Sequence, residues 1–321
     1  MNREIQVLKS GLLTTVQDLG RTGYQQYGMV VAGAMDSFSF QVANLLLGNR
    51  RGEAGLEITI TGPVLYFGCD IRIALTGGDL GPKLDGEEVP MWRSLQVKAG
   101  QILSFSGARQ GMRAYLAVAG GIAVEPVMGS KSTYIKGALG GWRGRKLKEG
   151  DRLPLAQSEE KSGRAGLRLA HDQRPVYRQE TELRVVMGPQ NDAFTSAGVK
   201  AFLSSSYEVT PQSDRMGYRL KGPTIRHRQS ADILSDATAP GSVQVPADGQ
   251  PIVLMADRQT TGGYAKVATV ISVDIPLLAQ AAPGHKITFR QVDMEEAQQT
   301  AIDQERLLRK LEAGARGLEA R

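Results

Sequence analysis

Glycine constrains this chain more than any other residue type: 38 of its 321 residues, about 12%, are glycine, where ordinary domains carry about 7%. The glycines show no collagen-like period. Between them lie short runs rich in β-branched residues, such as Leu56-Glu57-Ile58-Thr59-Ile60 and Asp70-Ile71-Arg72-Ile73-Ala74-Leu75. Runs of that length, bounded by Gly, Asp and Pro, read as strands joined by tight turns, and the expected fold class is mainly β. Asp85-Gly86 between two such runs is a hairpin signal. One helix interrupts the first half: Asp36 is placed to cap Ser37 to Leu47, Phe38, Val42 and Leu45 share a face, and Gly48 follows as the C′ residue.

Length and a hydrophobic content of 41% suffice for two domains, each with its own core. The polar stretch Ala156 to Arg178 has neither the helix nor the strand period, and it sets the expected boundary. The division is a first domain over 1–160, a linker over 161–180, a second domain over 181–293 and a helical tail over 294–321. In the second half, strand signals fall at Leu183–Met187, Ile252–Ala256 and Val267–Val273, with a helix over Ala193–Leu203. A glycine followed by an alternating strand recurs at Gly100–Phe105, Gly150–Leu155 and Gly284–Phe289. In the tail, Asp293 and Glu296 form a capping box, and Ala297, Ala301, Leu308 and Leu311 line one face. That face either docks on the chain's own barrel or meets a partner subunit.

The formal charge is +6, but the basic residues are interleaved with acids rather than gathered in a stripe. No nucleic-acid partner is expected, and a mildly positive surface suits anionic small molecules. Cys69 is the single cysteine, and His171, His227 and His285 are far apart with no helix-spaced partner, so no disulfide framework or metal site is expected. No apolar stretch reaches transmembrane length and no signal-peptide h-region is seen, which gives the cytoplasm as the expected compartment.

The common catalytic signatures are missing. Gly129-Ser130-Lys131-Ser132-Thr133 lacks the spacing of a phosphate loop, and neither Gly-x-Gly-x-x-Gly nor Gly-x-Ser-x-Gly occurs. Four dense polar segments stand out instead. In Gln17-Asp18-Leu19-Gly20-Arg21, continuing to Gly33-Ala34-Met35-Asp36, Arg21 offers a planar fork to an anion or pairs with Asp18 across a turn. Asp36 binds a ligand or only caps its helix. In Gly188-Pro189-Gln190-Asn191-Asp192, a strand runs into a helix whose N-terminal amides are available, and Asn191 or Asp192 can cap it. In Ser213-Asp214-Arg215-Met216-Gly217-Tyr218-Arg219, an anion fits between two arginines four apart. The fourth, Asp257-Arg258-Gln259-Thr260-Thr261-Gly262-Gly263-Tyr264-Ala265-Lys266, is read as an exposed polar loop between two apolar strands, carrying two cations, hydroxyl donors and a Gly-Gly hinge. Arg258, Thr261, Tyr264 and Lys266 are the candidate catalytic residues. Arg21, Asp36, Gln190, Arg215, Gly262 and Gly263 are the candidate substrate-binding residues.

These segments, together with Met128-Gly129-Ser130-Lys131-Ser132-Thr133 and the run from Ser242 to Ile271, resemble the KipA-type, biotin-dependent carboxyltransferase-like family. The resemblance runs from about Gln6 to Phe289. It departs from the family pattern at Val30-Val31-Ala32, where Val-Pro-x-Ser is usual, and at Ala265, where proline normally precedes the lysine. The resemblance implies two cyclophilin-like β-barrel domains with a cleft between them. It implies work as a subunit of an ATP-dependent 5-oxoprolinase that opens 5-oxo-L-proline to L-glutamate, with a KipI-type B subunit and a LamB/YcsF-type A subunit as partners. ATP would be bound by the assembly, and the isolated chain would be inactive. Two alternatives are the carboxyltransferase component of a urea-type carboxylase and a regulatory protein that antagonises a KipI-type kinase inhibitor. In the carboxylase alternative biotin must come on another protein, since this chain has no Ala/Val-Met-Lys-Met attachment sequence.

Overall fold

The computed structural model describes residues 3–157 and 166–317. The elements in chain order are β1 (Glu4–Lys9), β2 (Leu13–Gln17), α1 (Ser37–Leu45), β3 (Gly55–Thr59), β4 (Val64–Phe67), β5 (Ile71–Asp79), β6 (Pro82–Leu84), β7 (Glu87–Glu88), β8 (Arg93–Val97), β9 (Ile102–Phe105), β10 (Gln110–Val118), β11 (Arg152–Pro154), β12 (Glu180–Met187), α2 (Ser196–Ser204), β13 (Tyr207–Val209), β14 (Gly217–Lys221), β15 (Asp232–Ala237), β16 (Ser242–Gln244), β17 (Ile252–Leu254), β18 (Thr261–Tyr264), β19 (Lys266–Val270), α3 (Ile275–Ala279), β20 (Lys286–Gln291) and α4 (Met294–Gly317). The protein is mainly β, as its sequence pattern requires. No helix of the described residues is long and apolar enough to cross a membrane.

The chain packs as two compact units. The first comprises Met1–Arg21, Asp36–Val176 and Glu305–Arg321, and the second comprises Thr22–Met35 and Tyr177–Gln304. The expected linker falls partly on residues 158–165, which lie outside the described residues. From Gly166 the chain is engaged with the first unit: Ser94 N donates to Leu167 O, Leu169 N donates to Trp92 O, and Leu169 is buried. The segment Thr22–Met35 was not expected apart from the first domain, and Met35 lies in the core of the second unit.

In the first unit two sheets, ordered β11-β1-β4-β9-β6-β7 and β2-β3-β10-β5-β8, enclose a core that includes Ile5, Leu56, Ile58, Leu65, Phe67, Ile73, Leu75, Leu103 and Leu116. Leu84 pairs with Glu87 across Asp85 (φ 50°) and Gly86 (φ 89°), both left-handed as a type I′ turn needs. Helix α1 packs on β5 and β10. Its Asp36 cap accepts hydrogen bonds from Ser39 N at 2.9 Å and Ser39 Oγ at 2.6 Å. The last turns of α4 dock on this unit. Arg51 pairs with Glu305 at 2.8 Å and Glu312 at 3.0 Å, and Leu308 between them is buried.

The turn before β11 is fixed by one carboxylate. Asp151 receives both ends of the Arg145 fork, at 2.7 and 2.8 Å, and Lys148 N at 2.7 Å. Burial pushes its pKa up, but the Arg145 fork and the Lys148 amide outweigh that and hold the carboxyl well below the usual range. A depressed carboxylate stabilises the fold above its unfolded pKa, and the gain is lost as pH falls towards the folded value. Asp151→Asn should therefore melt below wild type at pH 7, and the gap should narrow once the pH drops below about 4. Thermal melts from pH 7 to 3 check this; a gap independent of pH would assign Asp151 a role other than its charge.

The second unit closes a seven-stranded barrel in the order β12-β19-β16-β17-β14-β13-β20, with β20 returning parallel to β12 from Glu180↔Lys286 to Val185↔Gln291. Closure leaves no free edge in this sheet. Its core includes Leu183, Val185, Val243, Val253, Val267, Ile287 and an aromatic cluster in which the Phe202 and Phe289 rings stack 4.4 Å apart. The expected helix over Ala193–Leu203 begins three residues later, because Thr195 caps α2 by accepting from Gly198 N at 3.0 Å.

Candidate functional site

In the first unit, two of the polar segments hold each other. Asp18 does not pair with Arg21. It accepts hydrogen bonds from Gly20 N, Ser130 Oγ, Lys131 N and Ser132 Oγ, while Gln17 Nε2 donates to Thr133 O and Arg21 Nη2 donates to Ser132 O. Gln17, Asp18 and Arg21 are all buried. Gln17 to Arg21 thus clamps Ser130 to Thr133, two segments more than a hundred residues apart. Gly140 is needed here, since a Cβ at that position would lie 2.6 Å from Arg21 Nη2 and closer still to Ser132 O. Asp36 is likewise buried, with both carboxylate oxygens on Ser39. Its N–H donates to Tyr115 Oη, which in turn donates to Glu57. Burial first, then the Glu57 and Asp36 charges, raises the Tyr115 phenol well above its ordinary range.

The other candidates all lie in the second unit. Asp257 to Lys266 is not an exposed loop: Thr261–Tyr264 forms β18, which pairs with β15 as a separate two-stranded ribbon in the register Asp232↔Tyr264, Asp236↔Gly262 and Ala237↔Thr261. Gly262 and Gly263 therefore lie in extended strand and form no hinge. A Cβ on Gly262 would meet the Gln244 amide at 2.4 Å, whereas Gly263 has room for one. Strand alternation sends Thr261 and Tyr264 to opposite faces, so they do not form one row of hydroxyl donors.

Nor are the two cations exposed: Arg258 is 8% and Lys266 3% accessible. Lys266 Nζ donates to Asp236 Oδ2 at 2.6 Å and Ala237 O at 3.1 Å. Arg258 makes only long contacts, Nε to Thr238 O at 3.5 Å and Nη1 to Met255 O at 3.4 Å. No carboxylate among the described residues is within ion-pair distance of Arg258, and burial lowers its pKa. Two desolvated cations thus face the consecutive residues Asp236, Ala237 and Thr238, which supply a single carboxylate. Asp236 is 48% exposed at its side chain, and the Lys266 hydrogen bond, then the Ala237 amide, holds its carboxyl below the ordinary range.

Gln190 completes this group, with Nε2 3.3 Å from Asp236 Oδ2 and Oε1 accepting from Lys266 N at 3.3 Å. Gly188 permits the approach, because a Cβ there would stand 2.2 Å from Lys266 O. Ala265, in the place where the resemblance expects proline, donates its N–H to Ala231 O at 3.1 Å, a bond proline cannot make. Arg215 has a different setting. Its Nε and Nη2 pair with Asp257 at 3.1 and 2.9 Å, and Nη2 also reaches Gly33 O at 2.6 Å. Together with the bond from Ala32 N to Ala256 O at 3.1 Å, this pair ties Thr22–Met35 to its own unit.

Gln190, Arg258, Thr261, Gly262 and Lys266 therefore converge on residues 236–238. Gly263 and Tyr264 continue the ribbon, Arg215 is bound to Asp257, and Arg21 and Asp36 belong to the first unit. Sequence reasoning missed Asp236 and Thr238. The run Ser235-Asp236-Ala237-Thr238 carries no motif, and the pairing that joins it to Lys266 spans 30 residues.

A closed barrel carrying a buried, cation-rich polar centre on a ribbon is the class of arrangement this chain presents. The chain belongs to the carboxyltransferase domain family (subdomains A and B), whose model matches residues 27–291. It is 43% identical over 309 residues to the C subunit of the Escherichia coli 5-oxoprolinase, covering 96% of this chain and 97% of that protein. The corresponding 5-oxoprolinase C subunit of Haemophilus influenzae is 37% identical, with 91% and 93% covered. Among solved structures, the K. lactis urea amidolyase superposes with a TM-score of 0.91 at 30% identity, covering 97% of this chain but 20% of that one.

Proposed function

We propose that this chain is a subunit of a cytoplasmic, ATP-dependent 5-oxoprolinase, acting with KipI-type and LamB/YcsF-type subunits to open 5-oxo-L-proline to L-glutamate. The observation that carries this reading is the surplus of buried positive charge at Lys266 and Arg258. Such a site favours an anionic ligand, and 5-oxoproline and glutamate both carry carboxylates. Lys266 and Arg258 hold the carboxylate and the charge that develops on the opening lactam, since fixed cations in a dry site act strongly on forming charge. Gln190 orients Lys266, and Thr261 and Tyr264 present hydroxyls on the two faces of the ribbon. ATP is the co-substrate of the assembly, and its hydrolysis drives the ring opening. The similarity to urea amidolyase supports a second reading, carboxyl transfer to urea from carboxybiotin carried on another protein, in which the same cations would hold the carboxylate being transferred; the higher identity to the two 5-oxoprolinase C subunits, over nearly their whole length, favours the first.

Glutamate release from 5-oxoproline and ATP should appear when the chain is co-purified with both partner subunits and should be lacking for the chain alone. Turnover by the single chain would remove the need for the assembly. A complete assembly that ignores 5-oxoproline but carboxylates urea would replace this reading with the second.

A further inference from the structure

We infer that Asp236 is a built-in counterion that occupies an anion site formed by Lys266 and Arg258, and that a carboxylate or phosphoryl group of the ligand displaces it. The site stands on the geometry around residues 236–238; only the identity of the displacing anion rests on the proposed function. Lys266 is almost fully enclosed, and its one charged partner is a carboxylate on the ribbon rather than on the barrel. That carboxylate is half exposed, so it can return to water when it leaves, whereas the ammonium cannot. A buried ammonium keeps its charge only with a partner at hand, and the exchange therefore has to trade one anion for another.

Arg258 marks where the incoming charge goes. It is buried without a carboxylate and makes two long contacts to backbone oxygens, Met255 O at 3.4 Å and Thr238 O at 3.5 Å, the latter one residue beyond the carbonyl that Lys266 holds. Asp236 neutralises one of the two cations, and an added anion between them would neutralise the second. The ribbon is suited to yield. It has two strands, which are marginal on their own, and its ladder shifts register between Asp232 and Asp236. Gly262, opposite Asp236, has no side chain to lock it. The charged groups that face the site are Asp236 from β15, Arg258 from the turn before β18 and Lys266 from β19.

A resident competitor lowers apparent affinity by the fraction of time the site is free, so removing it must tighten binding. Asp236→Asn, similar in size and able to accept from Lys266, should bind 5-oxo-L-proline or inorganic phosphate on the order of tenfold more tightly than wild type in calorimetric titration of the chain itself. Lys266→Met introduced on top of Asp236→Asn should abolish the gain. Tightening for 5-oxoproline assigns the anion to the substrate carboxylate, and tightening for phosphate alone assigns it to a phosphoryl group. Unchanged or weaker binding of both by a folded Asp236→Asn chain would overturn the inference, because removing a competitor that occupies the site must tighten binding. A crystal structure of the wild-type chain with 5-oxoproline or phosphate reads the same point without a variant. An anion on Lys266 with Asp236 moved away supports the exchange, and an intact Lys266–Asp236 pair beside a bound anion rejects it. Because these measurements use binding and not turnover, failure here leaves the proposed 5-oxoprolinase role standing, and failure of the coupled assay leaves the anion site to be judged separately.

Discussion

Lys266→Met in the full assembly is expected to lower 5-oxoproline turnover by about 10²- to 10³-fold, the loss typical when a fixed donor to developing negative charge is removed. Methionine keeps an apolar stem of similar reach, and the Asp236 carboxylate left behind is half exposed and can be hydrated. The melting temperature should therefore fall by a few degrees at most. Arg258→Met should show a sharper separation. Its guanidinium is desolvated without a counterion, so its removal relieves an electrostatic cost: the fold should be as stable as wild type or more so, while turnover collapses. Melts, co-purification with the partner subunits and the coupled glutamate assay read these effects independently. Unchanged turnover in both variants would reject the catalytic assignment, and loss of the complex together with turnover would move these residues to the subunit interface.

Arg215→Ala is expected to have the largest effect on stability, about 3–5 kcal/mol, the usual result of breaking a buried ion pair from one side. Asp257 is only 5% exposed and would lose the paired guanidinium, and Gly33 O would lose its donor. Replacing both partners, Arg215→Met with Asp257→Leu, should cost less than the sum of the single changes, since neither charge is then orphaned. Denaturant unfolding of the four proteins measures the coupling. A single-variant loss under about 1 kcal/mol would show that the pair contributes no more to the fold than a solvated one does.

The local elements were largely legible in the sequence because their causes are local. Asp36 before Ser37 dictates an N-cap, Asp85-Gly86 dictates a type I′ turn, and Asp293 with Glu296 dictates the start of α4, where Glu296 N does donate to Asp293 Oδ1 at 2.8 Å. Glycine frequency and β-branched runs determined the mainly β class. The polar segments were also visible, but whether each faced a ligand or another part of the chain was not. Asp18 and Arg21 are absorbed by Ser130 to Thr133, and Arg215 by Asp257, across separations that no periodicity encodes. Burial was the decisive omission. Arg258 and Lys266 read as solvent-facing cations because charge normally stays wet, and only the closure of the barrel with the pairing of β15 to β18 shows them desolvated. Sequence by itself determined which residues carry charge and where strands turn; the tertiary structure alone decided which charges are already neutralised, because an ion pair depends on distance in space and a cation's chemistry depends on the water it has lost.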